Sequence, residues 1–171
     1  MKKNINEFSD VRYRPARKED CADICEIYNS HIDHGGSTFE TEYWQACHLA
    51  SQITGNEIDH WFVAEQNTKI IGWSAARIYS NRYGYRLTRE IAIYLSIEHI
   101  GNGYANKLLE LTEQICRDNG VHHLVSRVIT CNQQSLRFHN RHGYEIVGVQ
   151  KEIGKLKGEW LDVAILQKIL D

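Results

Sequence analysis

The sequence predicts an α/β domain with a mixed, largely antiparallel sheet, on three observations. Short β-branched and aromatic runs and amphipathic runs follow one another in the order βααβββαβαββ. That order lacks the strict strand-helix repetition of a doubly wound nucleotide fold. One proline, no low-complexity stretch and no internal repeat leave nothing to mark a boundary, so residues 1–171 read as one domain, with residues 1–10 as a flexible N-terminus.

The first strand is VRYRPA, residues 11–16. Residues 18–30 place Cys21, Ile24, Cys25, Ile27 and Tyr28 at helical spacing, which predicts the first helix. HIDHGGSTFETE has the glycine pair of a loop and leads to a second helix expected at Tyr43 to Thr54. HWFVAEQ and TKIIGWSAARIY, joined at Asn67, read as a hairpin, and the polar loop SNRYGYR precedes a third run, LTREIAIYLS. Tyr104, Leu108, Leu111 and Ile115 form the apolar stripe of the next helix, and Asn119-Gly120 supplies its left-handed stop. HHLVSRVIT follows as a strand, NQQSLRFHNRH as a short helix ending at Gly143, and YEIVGVQKEI and EWLDVAILQKI as the last two strands. Trp73 and Trp160, flanked by β-rich sequence, are expected in the core.

Composition narrows the function. Twenty Lys plus Arg against 22 Asp plus Glu give a formal charge of −2, without the attraction a nucleic-acid backbone requires, so a small ligand is favoured. Five cysteines without a CxxC pair predict reduced thiols, not a disulfide framework or zinc ribbon. His139 and His142, with His122 and His123, complete no ligand set of usual spacing, so no metal is expected. No uncharged stretch approaches membrane-spanning length and MKKNINEFSD has no apolar run behind it, which predicts a soluble, cytoplasmic protein.

The chemistry starts at YLSIEHIGNGYANKLLELTEQ, where a strand meets a helix through Gly101 and Gly103. The first amides of a helix have no acceptor within it, and the helix dipole makes that end positive. Glycine lets such amides approach a phosphate and tolerates the backbone angles of a nest-like turn. Gly101, Asn102, Gly103, Tyr104, Ala105 and Asn106 are therefore candidates to cradle a pyrophosphate, although a helix start that merely needs glycines to turn has the same pattern. There is no GxxxxGK[ST], and Asn106 stands where a GxGxxG would need its third glycine.

IGNGYA resembles the Q/R-x-x-G-x-G/A loop of the GCN5-related N-acetyltransferases. RPARKEDCADICEIYN, STFETE, GYRLTREIAIYLS, NQQSLRFHNRHGY and GEWLDVAILQ follow the order of the phosphinothricin and methionine sulfoximine acetyltransferase branch. The resemblance departs at Ile100, where the family has Gln or Arg, and at Tyr43, where the branch has proline. It implies a central sheet of about seven strands with helices on both faces, acetyl-CoA as cosubstrate, and a homodimer.

Acetyl transfer to an amine requires a base, because amines are mostly protonated near neutral pH. Along TREIAIYL, Thr88, Glu90, Ala92 and Tyr94 point to one side and Ile91, Ile93 and Leu95 to the other, which turns Glu90 away from the Ile/Leu face. On the residues alone, Glu90 reads as an exposed or ion-paired strand residue, with Arg89 or Arg86 as partner. The resemblance makes it the general base and assigns the backbone of Ile93, Tyr94 and Leu95 to the pantetheine arm, with one amide polarising the thioester carbonyl. Asn132, Ser135 and His139 share one helix face; Asn132 suits an N-cap, and by resemblance it contacts the cofactor. His139 occupies the position at which relatives carry a proton donor for the leaving thiolate, and a surface or core histidine is the plainer reading.

An acceptor carrying a carboxylate and a second oxo group calls for arginines and hydroxyls. Arg82 and Arg86, in the loop before Glu90, and Phe39 and Thr41, in STFETE, are the candidates. The activity implied is acetylation of the α-amine of a small amino-acid-like substrate. Another amine acceptor, such as a polyamine, an antibiotic or a protein terminus, and a catalytically silent acyl-CoA-binding domain stay open.

Overall fold

The computed structural model describes residues 11–55 and 58–171; residues 1–10, expected to be flexible, lie outside the described residues. The elements are β1 (Arg12–Pro15), α1 (Cys21–His34), α2 (Ala46–Thr54), β2 (His60–Gln66), β3 (Lys69–Ile78), β4 (Thr88–Leu95), α3 (Tyr104–Asp118), β5 (His123–Ile129), α4 (Gln133–Arg141), β6 (Glu145–Leu156) and β7 (Glu159–Ile169). The sequence order of strands and helices is the one expected. Seven strands form one sheet in the order β1-β2-β3-β4-β5-β7-β6, in which only β4 and β5 run parallel. None of the described helices is long and apolar enough to cross a membrane.

Local chemistry sets the hairpins and helix ends. Asn67 and Thr68 both have positive φ between β2 and β3, as a type I′ turn requires. α3 stops where Gly120 adopts φ +69°, so that Gly120 N–H reaches Arg117 O and Val121 N–H reaches Cys116 O. α2 starts at Ala46 rather than Tyr43, because Trp44 N–H donates to Asn29 Oδ1 and the Trp44 ring stacks on Tyr28 at 3.8 Å.

The helices cover both faces of the sheet. α1 and α2 pack with Trp61, Val63, Trp73 and Ala75 on one face. Leu108 and Leu109 of α3 lie against Ala64, Ile71, Ile91 and Leu124 on the other. The buried stripe of α3 runs through Leu108, Leu109, Thr112, Glu113 and Cys116, not through Leu111 and Ile115. Two polar residues enter it because each is satisfied there. Thr112 Oγ1 donates to Leu108 O at 2.8 Å and meets Ser74 Oγ, while Glu113 receives Lys168 Nζ at 2.7 Å and Arg117 at 3.2 Å.

Two expectations change. The Glu90 side of β4 is not a solvent face, since Ala92 and Tyr94 pack into the cluster under α1. Trp160 is 57% exposed on the outer hairpin, with Lys155 Nζ 5.4 Å from its ring, and is not a core residue.

Candidate active site

β4 and β5 pair only at Thr88–Glu90 and His123–Val125 and then part, β4 staying with β3 and β5 with β7. The gap opens a cleft of about 1400 Å³. Ser96 N–H donates to Ile71 O, so the even-numbered backbone groups of β4 face β3 and the odd-numbered ones face the gap. Ile93 and Leu95 therefore present their amides to the cleft. The Tyr94 backbone is committed to Trp73, and only its ring reaches the cleft wall.

At one end of the cleft stands the turn before α3. Gly101 and Gly103 have φ of +89° and +86°, values that require glycine, and a Cβ on Gly101 would meet nothing within 4 Å. Amides 101–105 have no acceptor among the described residues, whereas Asn106 N–H donates to Gly103 O. Gly103 is the N-cap, with no side-chain cap and no acidic residue in the first turn. Positive backbone angles, free amides and open space above them suit a pyrophosphate. Gly101, Gly103, Ala105 and Asn106 line the cleft, as does Ile100. Asn102 and the Tyr104 side chain do not; Tyr104 packs against the Leu108 cluster instead. Asn106 Oδ1 accepts a hydrogen bond from His142 Nε2 at 3.0 Å, which ties α3 to the end of α4.

Glu90 stands on the cleft wall where β4 and β5 part. Arg127 grips it through two parallel bonds, Nε to Oε1 at 2.7 Å and Nη2 to Oε2 at 2.8 Å. The partner is neither Arg89 nor Arg86: Arg89 is buried on the opposite sheet face, where Nη1 donates to the carbonyls of Arg86 and Thr88. A carboxylate has about four lone-pair directions, so Arg127 leaves about two of them open to a further donor.

Asn132 caps α4, its Oδ1 accepting from Ser135 N–H at 3.1 Å, and it also lines the cleft. The capping and ligand readings of this residue thus coincide in space. His139 is 6% exposed. Its Nδ1 lies 2.9 Å from the Ser135 carbonyl, which only accepts, so Nδ1 carries the hydrogen and Nε2 accepts from Ser126 Oγ at 3.0 Å. Burial pushes the imidazole below its ordinary pKa. A donor role toward a thiolate requires a proton on Nε2, the nitrogen that the resting structure uses as an acceptor.

The other end is walled by Ser37, Thr38, Phe39 and Glu40. Phe39 packs on Gly154 of β6 so closely that a Cβ there would collide with its ring. Thr41, Arg82 and Arg86 do not reach the cleft; Arg86 lies over the Tyr83 ring at 4.4 Å. The loop of Arg82 and Arg86 leaves the far end of β3, and no pattern in it shows which way it folds. The cleft arginines at this end are Arg77 and Arg127, which sequence reasoning passed over. Strand alternation places Arg127 on the Val125 side of β5, but only the β4–β5 pairing sets that side beside Glu90.

A second buried histidine closes the floor. His31 Nε2–H donates to Leu95 O at 2.8 Å, and Nδ1 faces Ser37 Oγ at 3.3 Å. Burial lowers its pKa too. For both histidines the folded state binds the proton more weakly than the unfolded chain, whose histidines titrate near 6.5. The stability tied to their neutral forms is complete above about pH 6.5 and is lost as pH falls through the lower folded values. Urea titrations are expected to show a midpoint that drops from pH 7.5 to 5.5. The double variant His31→Gln, His139→Gln should show a flatter dependence, and an unchanged slope would contradict this origin.

Known proteins resemble the chain over most of its length. The chain is 31% identical over 163 residues to the L-methionine sulfoximine/L-methionine sulfone acetyltransferase of Salmonella typhimurium, covering 92% of this chain and 94% of that protein. It is 29% identical to the L-amino acid N-acyltransferase MnaT of Escherichia coli, over 92% of this chain and 93% of the other. A GNAT superfamily phosphinothricin acetyltransferase from Sinorhizobium meliloti, solved in complex with acetyl-CoA, superposes with a TM-score of 0.88 at 31% identity, covering 94% of this chain and 88% of that one. Residues 22–144 match the family described as Acetyltransferase (GNAT) family, and the chain belongs to it.

Proposed function

We propose that the chain is an acetyl-CoA-dependent N-acetyltransferase that acts on the α-amine of a small amino-acid-like acceptor of the phosphinothricin or methionine sulfoximine type, by direct attack with Glu90 as general base. The observation that carries this reading is the meeting, in one cleft, of the free amides before α3, the open edge of β4 and the Glu90 carboxylate. The activities in the names of the relatives favour the same acceptor class.

Acetyl-CoA supplies the activated thioester when bound. The turn amides from Gly101 to Ala105 hold its pyrophosphate without the side chain that Ile100 replaces. The Ile93 and Leu95 amides line the edge open to the pantetheine arm, and such a donor stabilises charge that develops on a carbonyl oxygen. His31 already occupies the Leu95 carbonyl, so the Leu95 amide alone remains free there. Asn132 borders the same arm. Glu90 takes the amine proton directly or through a water. His139 acts as proton donor only in its protonated form, so its share of turnover grows as pH falls.

Calorimetric titration with CoA, followed by an acetyl-CoA turnover screen across amino acids, methionine sulfoximine, phosphinothricin and polyamines, tests the reading. Turnover on α-amino acids or their analogues is expected. Binding without turnover would make the chain a silent acyl-CoA-binding domain, turnover on polyamines alone would reassign the acceptor, and absence of CoA binding would overturn the whole reading.

The proposal includes a homodimer. β6, at the outer edge of the sheet, exposes Ile146, Val147, Val149 and Ile153, and an uncovered apolar edge strand is a template for pairing. Light scattering that finds only monomer at micromolar concentration would contradict it.

A further inference from the structure

We propose that Arg77 is the carboxylate-binding residue of the acceptor site, and that it selects α-amino acids over amines without a carboxylate. The assignment rests on the proposed N-acetyltransferase activity and adds a specificity determinant to it. Arg77 lines the cleft, and its guanidinium makes no hydrogen bond or ion pair among the described residues. It is directly opposite Glu90 in the β3–β4 register, so the two side chains leave the same sheet face from neighbouring strands. In an α-amino acid the carboxylate is one carbon away from the amine. An amine presented to Glu90 therefore places its carboxylate beside Arg77, whose planar fork matches it with two parallel bonds. Arg127, on the other side of Glu90, already spends two of its donors on that carboxylate. Tyr28 and Tyr94 line the same cleft; burial raises both phenol pKa values, and the Arg77 charge opposes that rise. An unpartnered guanidinium beside the proposed base is a cation with no structural partner to hold.

The test compares the parent protein with Arg77→Met on methionine sulfone and on its α-carboxamide. For the free acid, KM is expected to rise roughly 10- to 100-fold, the loss of a charged, bidentate contact, with a much smaller change in kcat and no change in CoA affinity. For the carboxamide, parent and variant should be equally poor. Equal KM values for the free acid in both proteins, or an equal loss on acid and carboxamide, would overturn the assignment while leaving the acetyltransferase activity standing. If neither protein acetylates any amine, the proposed function fails on its own. The anion site is then read by titrating N-acetylmethionine sulfone into the CoA-loaded proteins. Binding at least tenfold weaker in the variant supports it, and equal affinity overturns it.

Discussion

Glu90→Gln is expected to lower kcat by about 10²- to 10⁴-fold, the range that a positioned general base contributes, while the dissociation constant for acetyl-CoA stays unchanged. Glutamine keeps the side-chain length and still offers an oxygen to one of the two Arg127 donors, so the wall stays filled, but the amide cannot take a proton from an amine. Glu90→Ala is the poorer experiment, because, beyond the loss of charge common to both variants, it leaves both Arg127 donors without an acceptor. Nor does the proposed pyrophosphate cradle depend on Glu90, since the amides before α3 lie beyond the far end of β4. Steady-state rates with a saturating acceptor, together with CoA titration of both proteins, separate the effects. Turnover within a few-fold of the parent would remove Glu90 from the proton transfer.

Trp73→Ala is expected to cost about 3–5 kcal/mol of folding stability, the usual loss for a fully buried Trp or Phe, out of the 5–15 kcal/mol typical of a domain. Trp73 is 1% exposed and sits among four aromatic rings: Tyr94 at 4.9 Å, Trp61 at 5.4 Å, Trp44 at 5.9 Å and Tyr28 at 6.1 Å. Deleting the indole leaves a hole between β3 and α1 that neighbouring rings fill only in part. Trp73→Phe should cost much less, because it keeps most of the contact and removes a buried indole N–H that has no partner among the described residues. The loss also reaches the cleft, since Tyr94 stacks on Trp73 and the Tyr94 hydroxyl donates to Ser37 O at 3.2 Å, in the loop that walls the proposed acceptor end. Urea unfolding of the three proteins checks the order parent, Trp73→Phe, Trp73→Ala. A midpoint for Trp73→Ala close to the parent's would mean that the aromatic cluster is not the centre of this core.

The legible parts of the sequence were those governed by neighbours in the chain. The glycines before α3 announced themselves because the need for positive φ at 101 and 103 is local, and the alternation along β4 placed Glu90 before any partner strand was known. The α3 stripe was misplaced by about one residue: Thr112 and Glu113 look like surface residues until Ser74 and Lys168, far away in sequence, satisfy them. The proposed acceptor end of the cleft was the least legible. Arg82 and Arg86 were nearer to Glu90 in the chain, yet Arg77 and Arg127 are nearer in space, one by antiparallel and one by parallel pairing. Register across strands is set by tertiary contacts, and a single sequence does not display it. The same holds for Trp160, whose strand is β-rich like a core strand but belongs to the exposed outer hairpin.

Titration of the protein with CoA, followed by backbone-amide NMR, addresses the cradle before α3 most directly. Large shifts are expected at the amides of residues 101–106, with Ile93 and Leu95 moving in step and all reaching their limit at one CoA per chain. Saturation by CoA with the amides of residues 101–106 unmoved would contradict a pyrophosphate held by that turn.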